Sequence, residues 1–356
     1  MLDNTLYRLR NDKKLTIGFF GGSITEGAGA SDASRTSWRG SVLRWFRERY
    51  PECEIKEIQA AIGGTGSSLG IFRCERDLLS RKPELVFMEY SVNDGLGDYD
   101  TITTDSETIV RKIYAANPCA DIVYVHTTTK YLSDHMASGG EYTARSAHSA
   151  VMHRYGIPQI DVGEILRSEI ISSGGDWKTL TTDTVHPNDD GYAVYAGAIT
   201  KFLSETLDKA VPALSEKVLP ERLSSGSLRL DARLVDASEG ALDGFGVVHE
   251  TMCGRYDSYI EGEPGAALTY EFDGRRVGLY LMLAKDSGDL LWSVDGGEEK
   301  SLRTWDSYCE SFNRAGGMLL GDELAEGRHT LRLRVADTKA DESEGKVVRI
   351  CAFMVY

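Results

Sequence analysis

The sequence predicts two domains: an α/β domain with a parallel sheet wrapped by helices, followed by an all-β sandwich. Over roughly the first 210 residues, apolar segments of strand length alternate with helical segments, which is the order typical of α/β proteins. From Leu228 onward, short segments of alternating apolar and polar residues replace them, as in β-sandwiches. The length of 356 residues also fits two domains better than one. We expect the domains to span residues 1–215 and 220–356.

The first domain is predicted to begin with a buried strand and to continue as a β-α repeat. The segment LTIGFF, Leu15–Phe20, is almost entirely apolar, which is typical of a strand inside a parallel sheet. A helix over Trp38–Tyr50 follows and is stopped by Pro51. The later segments are the strands Glu54–Ile62, Leu85–Val92, Ile122–Thr127 and Pro158–Val162 and the helices Leu69–Leu79, Thr108–Ala116, Thr143–Tyr155 and Gly191–Leu207.

The second domain is predicted from six short segments and one turn. The segments read LRLDARLV, ALTYEF, RRVGLYLML, DLLWSVDGG, HTLRLRV and VVRICAFMVY. Between two of the predicted strands lies Asp295-Gly296-Gly297, which is typical of a tight hairpin turn that requires positive φ angles. These features favour a sandwich of antiparallel strands.

Charge and composition exclude several classes of function. Lys and Arg total 40 against 55 for Asp and Glu, a net charge of −15, so nucleic acid and anionic membranes are expected to be repelled. The six cysteines are scattered without a Cys-x-x-Cys pair, and we expect free thiols rather than a zinc site. The first residues lack the apolar core of a signal peptide, and no run of about 18 apolar residues occurs. We therefore expect a cytoplasmic protein without nucleic-acid or membrane partners.

Ser23 is the first candidate for chemistry, because it follows Gly21 and Gly22 directly after the first strand. Its hydroxyl should project from the carboxyl edge of the sheet, where α/β proteins carry their sites. A structural alternative is that Ser23 only caps the helix that follows it.

Asp183 and His186 form the second candidate group, in the segment DTVHP ahead of the last predicted helix. Hydrolysis by a serine requires a base that takes its proton and a carboxylate that orients this base. Of the seven histidines only His186 has this arrangement. His148 and His153 are five residues apart, not the four at which two helical histidines share a metal. For the other histidines we expect structural roles, and we expect no metal and no cofactor.

Two further groups, Gly63-Gly64-Thr65-Gly66 and Ser91-Val92-Asn93-Asp94, follow the second and third strands. Acyl transfer builds negative charge on a carbonyl oxygen, and a glycine N–H and an asparagine amide are suitable donors to it. A structural alternative for each group is an ordinary turn. A dinucleotide cradle at Gly64-x-Gly66 fits poorly, because Leu69 occupies the third glycine position of that motif.

Four short motifs resemble, in this order, the four motif blocks of the GDSL/SGNH hydrolase superfamily. They are Gly-Gly-Ser23, Gly64, Ser-Val-Asn93-Asp and Asp183-x-x-His186-Pro. The resemblance covers about residues 15–207. It implies a flavodoxin-like sheet, Ser23 as nucleophile, His186 as base and Asp183 as the residue that orients the base. It also implies an oxyanion hole formed by the backbone N–H groups of Ser23 and Gly64 and by the Asn93 amide. The opening block reads GGSIT rather than GDSL, which resembles carbohydrate-esterase-like members more than lipase-like ones.

The predicted sandwich adds a second resemblance, to two-domain carbohydrate acetylesterases of the acetyl-mannan esterase type. Their second domain resembles a carbohydrate-binding module. The resemblance implies that Trp305 and Tyr308 bind sugar, with ordinary sandwich core as the alternative. Trp38 and Asp94 are further candidates for contact with substrate, and Trp38 could instead anchor its helix. Glu89 lies in an apolar strand and is expected to be buried and hydrogen-bonded rather than catalytic.

These expectations describe a serine esterase that removes O-acetyl groups from a carbohydrate such as an acetylated manno- or xylo-oligosaccharide. Two alternatives remain open at this point. One is a lysophospholipase or thioesterase acting on longer acyl chains, which would need a long apolar groove. The other is a carbohydrate-binding protein with an inert hydrolase domain, although every catalytic group of the motifs is present.

Overall fold

The computed structural model describes residues 2–209, 213–250, 257–321 and 323–356. The chain divides into two compact units, Met1–Leu230 and Asp231–Tyr356. The first unit is α/β and the second is built from antiparallel strands, so the predicted fold class is confirmed.

Five parallel strands form the sheet of the first unit. They are β1 (Lys14–Gly21), β2 (Glu54–Gln59), β3 (Leu85–Glu89), β4 (Asp121–His126) and β5 (Gln159–Asp161). Their order in the sheet is β2-β1-β3-β4-β5, which is the flavodoxin-like order. The chain order reverses between β1 and β3, and ligands of such sheets bind beyond the carboxyl ends of the strands at this reversal.

Helices flank this sheet. They are α1 (Asp3–Tyr7), α2 (Ser23–Glu26), α3 (Trp38–Arg49), α4 (Ser67–Asp77), α5 (Ser91–Asp94), α6 (Tyr99–Ala116), α7 (Lys130–Ala137), α8 (Thr143–Arg154), α9 (Val162–Ser172) and α10 (Asp189–Thr206). One face of the sheet packs through Phe19, Phe87 and Val123 onto a core that includes α3, α9 and α10. In the described part of the chain, no helix combines the length and the apolar character needed to span a membrane.

The stretch 213–230 contains the predicted boundary between the domains, and its later residues, which were expected in the second domain, lie against α6. The backbone N–H of Ser224 donates to the Glu107 carboxylate at 2.8 Å, and the Arg229 guanidinium lies 2.7 Å from an Asp105 oxygen. Both acidic side chains are fully buried. These contacts place 213–230 with the first unit and provide the partners that buried carboxylates require.

The second unit contains two antiparallel sheets. Its strands are β6 (Arg233–Asp236), β7 (Ala241–Asp243), β8 (Gly246–Val248), β9 (Tyr259–Gly262), β10 (Ala267–Gly274), β11 (Val277–Leu283), β12 (Gly288–Val294), β13 (Lys300–Arg303), β14 (Arg314–Leu320), β15 (Gly327–Lys339) and β16 (Val348–Val355). One sheet has the order β13-β12-β15-β10-β7, and the other has the order β14-β11-β16-β9-β8 with β6 also paired to β16. Side chains of both sheets, among them Leu290, Leu333, Leu279 and Phe353, share one apolar core.

The predicted hairpin turn joins β12 and β13. Asp295 and Gly296 have φ angles of +52° and +70°, so the turn adopts the left-handed conformations for which Asp-Gly is suited. The prediction for this turn is confirmed.

Candidate active site

The candidate site lies at the carboxyl edge of the parallel sheet. β1 ends at Gly21, and Gly22 leads into α2, whose first residue is Ser23. The N-cap of α2 is Gly22 and not Ser23, so the structural alternative of a capping serine is not what the structure shows. Asn93 lies in α5, directly after β3. The site therefore forms at the reversal point of the sheet, between β1 and β3.

Ser23, His186 and Asp183 form an unbroken chain of hydrogen bonds. The Ser23 Oγ lies 2.8 Å from Nε2 of His186, and Nδ1 of His186 lies 2.7 Å from Oδ2 of Asp183. The other Asp183 oxygen accepts the backbone N–H groups of His186 and Val185 at 2.7 and 3.0 Å. Thr184, with a φ of +69°, closes the tight turn that brings the carboxylate to its own histidine.

The charge on Asp183 decides which nitrogen of His186 carries the proton. Burial acts to raise the pKa of Asp183, but hydrogen bonds from the His186 backbone, the imidazole and the Val185 backbone outweigh it and hold the pKa below its usual range. An ionised carboxylate can only accept a hydrogen bond, so Nδ1 is the donor. A ring that carries its single proton on Nδ1 leaves Nε2 free to accept the Ser23 hydroxyl proton.

Gly63, which precedes Gly64, lies beside Ser23, and the Asn93 side chain lies beside Gly22. A Cβ placed on Gly22 would be 1.8 Å from the Asn93 side-chain oxygen, so only glycine leaves room for this amide. A Cβ on Gly63 would be 3.4 Å from the Ser23 Cβ. Gly64 itself has a φ of +73°, which glycine adopts at no steric cost. The Ser23 N–H belongs to the first turn of α2, where N–H groups have no acceptor within the helix.

Glu89 supports the segment around Ser23 from inside the fold. Its carboxylate accepts the hydroxyls of Thr25 and Thr127 at 2.9 and 2.7 Å and a backbone hydrogen bond from Gly22. Burial outweighs these three bonds and raises the pKa of Glu89. The prediction that Glu89 is buried and hydrogen-bonded is confirmed.

Two of the candidates for contact with substrate have other roles in the structure. The prediction that Trp38 contacts substrate is wrong, because its side chain is fully buried and packs edge-on against Phe19 and Phe87. The alternative, that it anchors its helix, is what the structure shows. The Asp94 carboxylate accepts the backbone N–H of Ser67 and lies 2.9 Å from Nε2 of His148. Its two oxygens thus join α5 to the first residue of α4 and to α8.

The sugar-binding candidates of the second unit differ from each other. Trp305 packs against the sandwich core, as the structural alternative expected. The Tyr308 side chain is 63% exposed, with the Phe312 ring 6.3 Å and the Arg314 guanidinium 5.6 Å from its ring. Of the two, Tyr308 is therefore the one that can present an aromatic face to a ligand.

Sequence reasoning missed Arg73 and Glu26. Arg73 is fully buried in α4 and bonds to the ends of several strands. The Glu26 carboxylate accepts the Gly63 N–H at 2.9 Å. A signal existed for Arg73, because it lies four residues after Leu69 and so on the apolar face of its helix. Among the described residues, no group of three or more His, Cys, Asp or Glu side chains could hold a metal ion.

Comparison with known proteins relates the first unit to a family of hydrolases. The model of the GDSL-like lipase/acylhydrolase family matches residues 19–194. Two crystal structures of a two-domain esterase (CEX) active on acetylated mannans share the fold. One was co-crystallised with mannopentaose and matches with a TM-score of 0.83 at 22% identity over 99% of this chain and 94% of that chain. The other has a TM-score of 0.84 at 22% identity over 100% and 95%.

No curated protein sequence matches the chain as a relative. At 22% identity the likeness to the two-domain esterase shows a shared fold, and the family model covers the segment that carries Ser23, Asp183 and His186. Residues 19–194 of the first unit match a GDSL-like lipase/acylhydrolase domain, and the chain is a carboxylic ester hydrolase.

Proposed function

We propose that the protein removes O-acetyl groups from an acetylated oligosaccharide of the manno or xylo type, with Ser23 as nucleophile, His186 as base and Asp183 as the residue that orients the base. The observation that carries this proposal is the hydrogen-bonded chain from Ser23 through His186 to Asp183. It lies at the sheet edge where this fold binds its ligands.

The reaction proceeds through an acetylated serine. The Ser23 Oγ attacks the acetyl carbonyl carbon while its proton passes to Nε2 of His186. The ester C–O bond then breaks, and the departing sugar oxygen takes the proton from His186. A water molecule next attacks the acetyl-Ser23 carbonyl and gives a proton to His186, and this proton returns to Ser23 as acetate leaves.

The carbonyl oxygen becomes negatively charged in both halves of the reaction. We assign its stabilisation to the backbone N–H groups of Ser23 and Gly64 and to the side-chain amide of Asn93. In support of this assignment, a Cβ on Gly63 would contact the Ser23 Cβ, and the Asn93 side-chain oxygen lies against Gly22, which directly precedes Ser23.

A small acyl group and a sugar alcohol fit the surroundings of Ser23 better than a long acyl chain does. The residues that flank Ser23 are glycines and polar side chains such as Glu26, Asn93 and His186. A similar fold with activity on acetylated mannans supports a carbohydrate substrate. We assign sugar binding in the second unit to Tyr308, whose exposed ring suits the apolar face of a sugar.

A series of p-nitrophenyl esters with acetyl, butyryl and octanoyl groups tests the acyl preference. We expect the acetyl ester to have the highest kcat/KM and the octanoyl ester to be a poor substrate. The Ser23→Ala variant should lose turnover of all three esters while its circular dichroism spectrum stays unchanged. A preference for the octanoyl ester would instead support the lysophospholipase or thioesterase alternative.

A further inference from the structure

Arg73 is a fully buried cation at the carboxyl edge of the sheet. From α4, one guanidinium nitrogen donates to the Gly21 carbonyl at 2.9 Å, the Thr65 hydroxyl at 3.1 Å and the Tyr90 hydroxyl at 3.3 Å. The other terminal nitrogen donates to the Ala60 carbonyl. A single side chain thus bonds to the segments that leave β1, β2 and β3.

These contacts share a position in sequence, because each of three lies within three residues of a proposed oxyanion donor. Gly21 is two residues before Ser23, Thr65 directly follows Gly64, and Tyr90 is three residues before Asn93. The guanidinium contacts the three segments whose relative placement sets the oxyanion hole.

Burying a cation here is costly, and its surroundings show how the cost is met. The Arg73 guanidinium pairs with Asp77 at 3.2 Å and lies 4.6 Å from the centre of the Phe20 ring. An apolar side chain of similar volume would pack at this position of α4 without the desolvation penalty of a charge. A guanidinium also holds several donors in one rigid plane, which neither an apolar side chain nor a lysine does.

We infer that Arg73 is a positioning residue of the esterase, which fixes the Ser23, Gly64 and Asn93 segments so that their donors meet the same carbonyl oxygen. This inference rests on the proposed Ser23 mechanism. Oxyanion stabilisation acts on the transition state more than on bound substrate. Loosening the three segments therefore lowers kcat and leaves KM nearly unchanged.

The Arg73→Lys variant tests this role, because it keeps the charge and loses the rigid set of donors. With p-nitrophenyl acetate we expect kcat to fall by about 10- to 100-fold, the range between a partly misplaced and a lost oxyanion donor, and KM to change less than about threefold. Titration with paraoxon, which releases one p-nitrophenolate per competent serine, normalises kcat to competent sites. A fall in stability alone would not change kcat measured in this way.

Arg8→Lys is the matched control. Arg8 is also largely buried, and its guanidinium pairs with Glu84 at 2.8 Å. Glu84 directly precedes β3, so this pair lies at the opposite end of the sheet from Ser23. We expect Arg8→Lys to lower the melting temperature and to leave kcat per competent site within about twofold of the wild-type value.

Two results would overturn the inference: an Arg73→Lys enzyme with wild-type kcat per competent site, or equal losses of kcat in the Arg73 and Arg8 variants. If Arg73→Lys does not fold, Tyr90→Phe decides, because it removes only one hydroxyl partner of Arg73. A fall in its kcat supports the inference, and an unchanged kcat contradicts it. Failure of the proposed function would be distinct, since Ser23→Ala would then retain activity.

Discussion

At the scale of single residues, the orientation of His186 depends on one four-residue turn. Asp183 receives three hydrogen bonds from within this turn, and the positive φ of Thr184 allows the carboxylate to fold back onto the imidazole. The base and the residue that orients it are therefore one local unit. Only Ser23 has to be delivered to this unit by the fold.

Asp183→Asn should lower kcat for p-nitrophenyl acetate by at least about 100-fold, and by less than Ser23→Ala does. An amide can donate to Nδ1, and this would place the ring proton on Nε2, which then cannot accept from Ser23. The measurement is steady-state turnover at neutral pH. Wild-type turnover by the asparagine variant would contradict the proposed role of Asp183.

Glu89 predicts a pH dependence of stability. Burial raises the pKa of Glu89 in the folded protein, so above the ordinary glutamate pKa of about 4.3 the unfolded state releases its proton first. Stability therefore falls as pH rises from there to the folded pKa, with a slope of at most about 1.4 kcal/mol per pH unit. A glutamine side chain does not titrate, so the Glu89→Gln variant lacks this contribution to the pH dependence.

Urea denaturation of the wild-type protein and of Glu89→Gln measures this effect between about pH 4 and about pH 8, a range that begins near the ordinary glutamate pKa and extends above it. We expect the free energy of unfolding of the wild-type protein to decline relative to that of the variant as pH rises. Parallel curves would show that Glu89 has the same pKa in the folded and unfolded states.

At the scale of elements, the site is formed by strand ends that approach each other where glycine leaves room. Gly22, between β1 and α2, has a φ of −97° and a ψ of −155°, which alanine can also adopt. Its constraint is the neighbouring Asn93 side chain. The end of the Asn93 side chain can move to make room for a Cβ at position 22, so the backbone of Gly22 can stay in place.

Gly22→Ala should therefore displace the Asn93 amide and lower kcat by about 10- to 100-fold with little loss of stability. In an Asn93→Ala background the same substitution should have almost no further effect, because the two changes remove one interaction. Gly197→Ala in α10 is the control, since nothing lies within 4 Å of its added Cβ. Additive losses in the double variant would contradict this explanation.

The sequence predicted the order of most of these elements but not all of their limits. The predicted helix Thr108–Ala116 begins at Tyr99 in the structure. Its first half contains polar residues such as Asp105 and Glu107, which are buried against Ser224 and Arg229 rather than exposed. The helices α1, α7 and α9 and the one-turn helices α2 and α5 were missed. α7 fully buries only Leu132 and Ser133, so its pattern carries little apolar periodicity.

The residues of the candidate triad were accessible to sequence reasoning because each follows a recognisable local pattern. Ser23 ends a strand, and Asp183 and His186 share one turn. For Arg73 the local pattern indicates only that the side chain lies on the apolar face of its helix, because its partners belong to segments up to 52 residues away. Trp38 was misplaced for a related reason: an aromatic residue after a loop packs inward or outward according to neighbours far along the chain.

At the scale of the whole molecule, the second unit adds an exposed aromatic side chain to an esterase domain. Tyr308→Ala should lower kcat/KM for an acetylated manno-oligosaccharide by about tenfold, equivalent to about 1.4 kcal/mol, and leave that for p-nitrophenyl acetate nearly unchanged. Tyr308→Phe keeps the ring and should behave as the wild-type protein. Equal effects on both substrates would show that Tyr308 does not bind sugar.

Deacetylation of the carbohydrate itself is the most direct test of the proposed function. Acetylated manno-oligosaccharides and xylo-oligosaccharides are incubated with wild-type protein and with Ser23→Ala, and the acetyl groups that remain are counted by mass spectrometry. We predict that the wild-type protein removes acetyl groups from at least one of the two and that Ser23→Ala removes none. Two results would contradict the account. One is that the wild-type protein hydrolyses p-nitrophenyl acetate but leaves every acetyl group on both oligosaccharides, and the other is that Ser23→Ala removes acetyl groups.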